Sequence, residues 1–159
     1  MPALRPVLPA DAANGATLSD DRCRAYAAFF ETLTPETLPG LDALVTEDVL
    51  FRDPFNDTRG AAAMRRIFTR MFAEIGDPRF HVSDFAIGGD TAFLRWRFTG
   101  RSRNRGAGAI TIEGVSEIVF AGDGRVRAHI DHWDAASQVY ERIAILGWVI
   151  RKVRRKLAG

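Results

Sequence analysis

Cysteine is nearly missing from this chain: Cys23 is the only one among 159 residues. That excludes an intrachain disulfide and any multi-cysteine metal site, and it fits a reducing compartment. Cys23 itself reads as a small buried or half-buried residue of a first helix. Long apolar runs are missing too, since no stretch approaches the roughly 18 residues of a membrane span. The opening MPALRPVLPADAANGATLSD holds prolines at 2, 6 and 9 and no hydrophobic segment of the secretory kind. A flexible tail over residues 1–18 and a cytoplasmic protein are therefore expected. Neither sign of charge dominates, the net being +2. The basic excess is local, in RKVRRK from Arg151 to Lys156, so a nucleic-acid partner is not expected. No internal repeat or low-complexity segment is visible.

What is present is an ordinary globular balance, 47% hydrophobic and 26% charged, enough for one domain with a sizeable core. Ser19 stands where a helix cap is expected, ahead of a helix from about Asp20 to Leu33. In it Tyr26, Phe29, Phe30 and Leu33 share a face. A short helical unit over Leu38 to Leu44 and a short strand from Val49 to Asp53 follow. Gly60 then opens a helix in which Met64, Ile67, Phe68, Met71, Phe72 and Ile75 form a wide apolar stripe. From Arg79 onward the apolar period becomes two, in the stretches RFHVSDFAIG, TAFLRWRFTGRSRN, AITIEGVSEIVFA and RVRAHIDHW. Glycine-rich turns separate them, which predicts hairpin-linked antiparallel strands. A last helix is expected from about Ala135 to Leu157. The pattern is α+β: a cone-shaped single domain over 19–134, N-terminal helices packed on a strongly curved, mostly antiparallel sheet, with an additional C-terminal helix over 135–159.

Asp53 is the one position that looks chosen for chemistry. Pro54 forces the preceding residue toward extended geometry, so the acid sits at a strand end, at the mouth of a core. Two readings stand side by side: a turn acid bonded to nearby amides or arginines, or a pocket base whose proton affinity is raised by apolar neighbours such as Phe51, Phe68 and Trp133. His129 and Asp131, two apart on a strand, project from one face together with Trp133. They form either a proton-shuttling pair or a polar pair that satisfies itself inside the sheet. His132 points the other way, so no metal site is expected from these residues.

The order helix, short helix, strand ending in Asp-Pro, helix and four long strands resembles the nuclear transport factor 2-like superfamily. That superfamily includes ketosteroid isomerases, SnoaL-like polyketide cyclases and limonene epoxide hydrolases. The resemblance covers roughly Ser19 to Trp133 and implies a conical ligand cavity. In ketosteroid isomerases the strand-end Asp-Pro carries the base, which Asp53 in FRDPF matches. The resemblance gives Tyr26 the role of the first-helix tyrosine that donates to the dienolate oxygen. It places Ser116 where those enzymes use a protonated aspartate. HIDHWD resembles the last-strand segment of limonene epoxide hydrolases, with Asp131 in the place of a water-activating aspartate. The second long strand, LRWRFTG, has Arg95 and Arg97 but lacks the acid that completes that triad.

The expectation is a small enzyme without cofactor or metal, acting by proton transfer on an apolar, carbonyl-containing ligand. Asp53, Tyr26, His129 and Asp131 would be catalytic, with Phe51, Phe68, Trp96, Ser116 and Trp133 around the substrate. A non-catalytic ligand-binding or dimeric module of the same fold is the alternative from another class, and epoxide-hydrolase-like water activation at Asp131 is a third reading. A homodimer is expected. The C-terminal helix, with Trp148 and its basic end, reads as packed on its own domain or a partner, or as a weak contact with a membrane surface.

Overall fold

Residues 19–103 and 108–138 are described by the computed structural model. Ser19 holds the N-cap of α1 (Asp20–Glu31) in extended geometry, but its hydroxyl makes no capping bond. Its carbonyl accepts the amides of Arg22 and Cys23, and Asp20 and Asp21 supply the negative charge favoured at a helix start. One face of α1 buries Cys23, Tyr26, Ala27 and Phe30, the spacing of a helix laid on a core. The helix stops at Glu31, short of the expected Leu33. Threonines beyond it offer rival partners: the Thr32 hydroxyl bonds the Ala28 carbonyl at 2.7 Å, and the Thr37 hydroxyl accepts the Thr34 amide at 2.8 Å.

A single 3-10 turn (Leu38–Gly40) and α2 (Leu41–Leu44) lead into β1 (Val45–Arg52). This strand begins at Val45 rather than Val49, because its first half carries the exposed polar residues Glu47 and Asp48, which hide the alternation. A three-residue strand, β2 (Asp57–Arg59), pairs antiparallel with the end of β1. Its polar sequence gives no apolar signal, and it was not expected. Gly60, at φ 99°, makes the turn into α3 (Ala61–Glu74), its amide bonded to the Val49 carbonyl at 2.8 Å. Helix α3 buries Met64 and Phe68, with Ile67, Met71 and Phe72 packed beside them.

Four long strands complete the sheet: β3 (Ile75–Gly88), β4 (Thr91–Ser102), β5 (Ala109–Phe120) and β6 (Val126–His132). They are antiparallel neighbours, as their alternation predicts, and the strand order is β2-β1-β6-β5-β4-β3. One pairing departs from the expected hairpins: β1 lies parallel to β6. Strand β3 starts at Ile75, before Pro78, and its register with β4 shifts between Gly76 and Arg79. A proline without an amide hydrogen is accommodated at such an irregularity. The sheet stays open, and the helices cover one of its faces, giving the α+β cone.

Register decides which residues meet. Phe51, His129 and Ile118 align across β1, β6 and β5 on the helix-covered face. Two residues along, Asp131, Ser116, Leu94 and Phe85 align across β6, β5, β4 and β3. Asp53 follows Arg52, the partner of Ile130, so one further step of register brings it beside Asp131. On the other face Leu50, Ala128, Val119 and Ile130 form a second, smaller buried cluster. Helix α4 (Ala135–Gln138) follows β6, anchored where the Glu113 amide donates to the Gln138 side-chain oxygen at 2.6 Å. The rest of the expected C-terminal helix, Trp148 and the basic run included, lies outside the described residues, as does the 1–18 tail. No helix among the described residues is long and apolar enough to cross a membrane.

Met64 is fully buried between α3 and the core, whereas Phe93 is 44% exposed on the sheet's outer face. Truncating Met64 to alanine removes buried methylenes and leaves a cavity, so urea unfolding of Met64→Ala is expected to show a loss of about 2–5 kcal/mol. Phe93→Ala is expected to stay within about 0.5 kcal/mol of the parent.

Candidate active site

Between α3 and the inner face of the sheet lies a cavity of about 260 Å³. Its walls are largely aromatic, with Phe30, Phe51, Phe68, Phe80, Phe98 and Trp133 among them. Into this apolar space the fold brings a short set of polar side chains: Asp53, Asn56, Arg70, Glu74, Ser116, His129 and Asp131.

Three of these belong to one hydrogen-bonded chain. The Trp96 indole N–H donates to the Ser116 hydroxyl at 2.7 Å, and that hydroxyl donates to Oδ1 of Asp131. His129 Nε2 lies 2.9 Å from the same Oδ1, and Nδ1 lies 2.9 Å from the Tyr26 hydroxyl. Proton directions follow from the partners. A carboxylate only accepts, so Nε2 carries the hydrogen and Nδ1 takes the Tyr26 O–H. A doubly protonated ring would leave the buried Tyr26 hydrogen without an acceptor among the described residues, a cost of about 1–3 kcal/mol. Every donor in the chain therefore points toward Asp131. Among the described residues, Oδ2 of Asp131 has no hydrogen bond. Phe30 and Phe51 flank the imidazole with ring centres 5.3 Å away, which fixes its plane. Burial first, and the Asp131 carboxylate second, hold the Tyr26 phenol well above its ordinary range, so it stays a neutral donor.

Asp53 plays a different part. Its Oδ1 accepts the amides of Phe55 and Asn56, each at 2.7 Å, and the Asn56 side-chain amide reaches both carboxylate oxygens at 3.0 and 2.9 Å. This is the turn-acid geometry. The loop it closes holds Phe55 against Trp133, ring centres 5.3 Å apart, at the cavity mouth. Asn56 in turn accepts from Arg70 of α3 at 3.0 Å, a bridge between the sheet end and the helix.

Of the residues expected at the site, Asp53, Phe51, Phe68, Trp96, Ser116, His129, Asp131 and Trp133 all line the cavity. Tyr26 does not; it stands behind His129, fully enclosed, and its hydroxyl is spent on the imidazole. Ser116 likewise spends its hydrogen on Asp131, so neither hydroxyl is free to hold an enolate oxygen as the resemblance implied. Arg95 and Arg97 alternate with the buried Leu94, Trp96 and Phe98 and so lie on the outer face, Arg97 paired with Glu113 at 2.7 Å. His132 is exposed there beside Glu117 at 3.3 Å. Sequence reading missed Arg70 and Asn56. Arg70 lies three residues after Ile67 and four before Glu74, on the flank of the α3 stripe; Asn56, in the Asp53 loop, carried no comparable signal.

A family model described as a SnoaL-like domain matches residues 26–129. Solved structures share the fold at low identity. A protein from Shewanella putrefaciens, provisionally described as a SnoaL-like polyketide cyclase, has a TM-score of 0.66 at 14% identity, with 80% of this chain and 98% of that one covered. An epoxide hydrolase of the limonene type from M. tuberculosis gives 0.62 at 19%, covering 84% and 96%. A protein of ketosteroid isomerase-like fold from Catenulispora acidiphila, solved with trimethylamine, gives 0.64 at 14%, covering 76% and 91%. No curated protein matches the chain.

Removing the Tyr26 hydroxyl leaves His129 Nδ1 without its donor, so Tyr26→Phe is expected to cost about 1–3 kcal/mol at neutral pH. Because the folded phenol is held above its ordinary value, the unfolded chain loses this proton first as pH rises past about 10. The parent loses stability through this group, a loss that the variant lacks. Urea unfolding at pH 7 and pH 11 should show the gap between the two shrinking, and a constant gap would refute the assignment.

Proposed function

The chain belongs to the SnoaL-like domain family, and from that premise we propose that it is a cofactor-independent enzyme of general acid–base chemistry. In this reading it moves a proton on a compact, apolar, carbonyl-containing molecule, in an isomerisation or a ring closure. One observation carries it: Trp96, Ser116, His129 and Tyr26 all aim their hydrogens toward Asp131, whose second oxygen is unclaimed among the described residues. Asp131 is then the proton acceptor. Its neighbours hold the carboxylate in one orientation, and the walls around it are largely apolar.

Asp53 matches the base of the ketosteroid isomerases by position, but its carboxylate oxygens are taken up by the Phe55 and Asn56 amides and the Asn56 side chain. Its role here is to hold the mouth loop. With the Tyr26 and Ser116 hydroxyls committed elsewhere, the carbonyl oxygen is assigned to Arg70. That side chain lines the cavity, and its bond to Asn56 leaves further N–H donors. His129 and Tyr26 act behind Asp131, as positioning residues. Water activation in the manner of an epoxide hydrolase is less well supported, since Arg95 and Arg97 occupy the opposite face of β4.

The test is solvent-deuterium incorporation next to the carbonyl of 1-tetralone and related cyclic ketones, followed by NMR. Asp131→Asn is expected to lower the catalysed rate by about 10²–10⁴-fold with the fold retained, and Asp53→Asn by about tenfold or less. No exchange above buffer in the parent, or an unchanged rate in Asp131→Asn, would sink the proposal. The reverse ranking of the two variants would restore Asp53 as the base.

A further inference from the structure

The outer face of the sheet carries an apolar band on the side away from α1, α2 and α3. Leu50, Ala128 and Val119 align there across β1, β6 and β5, with Ile130 beside them, and all four are only 0–6% exposed. Side chains on a bare face of an open sheet keep part of their surface in water. Such burial calls for a cover beyond the strands, and the three helices pack their apolar residues on the opposite face.

Gln138 fixes where that cover comes from. Its side-chain oxygen accepts the Glu113 amide at 2.6 Å, and its side-chain nitrogen donates to the Glu113 carbonyl at 3.0 Å. Strand β6 pairs with β5 only as far as Val115, so Gln138 takes up the backbone groups of Glu113 that β6 leaves open. The chain therefore stands beside β5, at one end of the band, as it enters residues 139–159. From Glu113 to Val119 is about 20 Å of strand. Residues 139–153, wound as a helix, would span about 21 Å. In that segment Ile143, Leu146, Val149, Ile150 and Val153 recur at helical spacing. The basic run 151–156 would fall at the far end, where β1 brings the exposed Glu47 and Asp48, and opposite charges there select one direction of docking.

We propose that the segment 139–157 docks as an amphipathic helix on the outer face of its own sheet, with its apolar side on Leu50, Val119 and Ile130 and its basic end beside Glu47 and Asp48. Tethered next to the band through Gln138, it holds that surface at a high effective concentration, which a second copy or a membrane would have to displace. This docking is independent of the cavity and of any reaction in it.

Disulfide trapping in the full chain provides the test. Cys23 is wholly buried and stays in place. Glu117 lies on the outer face beside Val119, about 13 Å along β5 from Glu113, a level that a helix reaches about nine residues past Gln138. Glu117→Cys with Leu146→Cys is expected to oxidise to an intrachain disulfide at least about tenfold faster than Glu117→Cys with Trp148→Cys, which the helical repeat turns to the other side. Mass spectrometry and a non-reducing gel separate intrachain from interchain bonds. A disulfide-linked dimer would give the band to a second copy and overturn the proposal, as would equal rates for the two pairs. Leu146→Asp, with no cysteine added, is expected to lower the urea unfolding midpoint by about 0.5 M or more. No disulfide in either pair, or an unchanged midpoint, would put the segment elsewhere, on a membrane or another partner, and would overturn the proposal as well.

Discussion

A carboxyl group, 16% exposed, inside an aromatic-walled cavity is the constraint on which this site depends. Removing a charge from water costs several kcal/mol unless donors replace the lost hydration. Asp131 receives two hydrogen bonds on one oxygen, and each of its donors is itself held by a further donor. Satisfaction passes outward from Asp131 through Ser116 to Trp96 and through His129 to Tyr26. Five residues from four elements thereby share one arrangement, and none can turn without leaving a buried polar atom unpaired.

The same chain explains why a tyrosine on the first helix touches the last strand. Tyr26 and His129 are 103 positions apart in sequence, and their contact ties α1 to the sheet at the level of the cavity. Below it, Phe51, Phe68 and Met64 supply apolar packing. Low local polarity strengthens each hydrogen bond and also makes each one indispensable.

A strand-end Asp-Pro is present, yet the donors that would surround a reacting oxyanion are turned inward to a different acid. Ser116 is a donor, and its hydrogen goes to Asp131.

Local pattern alone carried much of the architecture. Period-two alternation identified β3 to β6 and their antiparallel order, and the 3.6-residue stripe of Met64, Ile67, Phe68, Met71 and Phe72 identified α3, because burial on one face writes itself directly into sequence. The pairing of His129 with Asp131 was legible for the same reason, two residues apart on one strand. Strand β2 and the start of β1 were not, since polar, half-exposed residues leave no such mark. Tertiary structure alone decided that β1 lies parallel to β6, that Tyr26 spends its hydroxyl on His129, that Asp53 closes a loop, and that Arg70 and Asn56 reach the mouth. Each depends on which distant atoms compete for one donor or acceptor, and that competition exists only once the chain has folded.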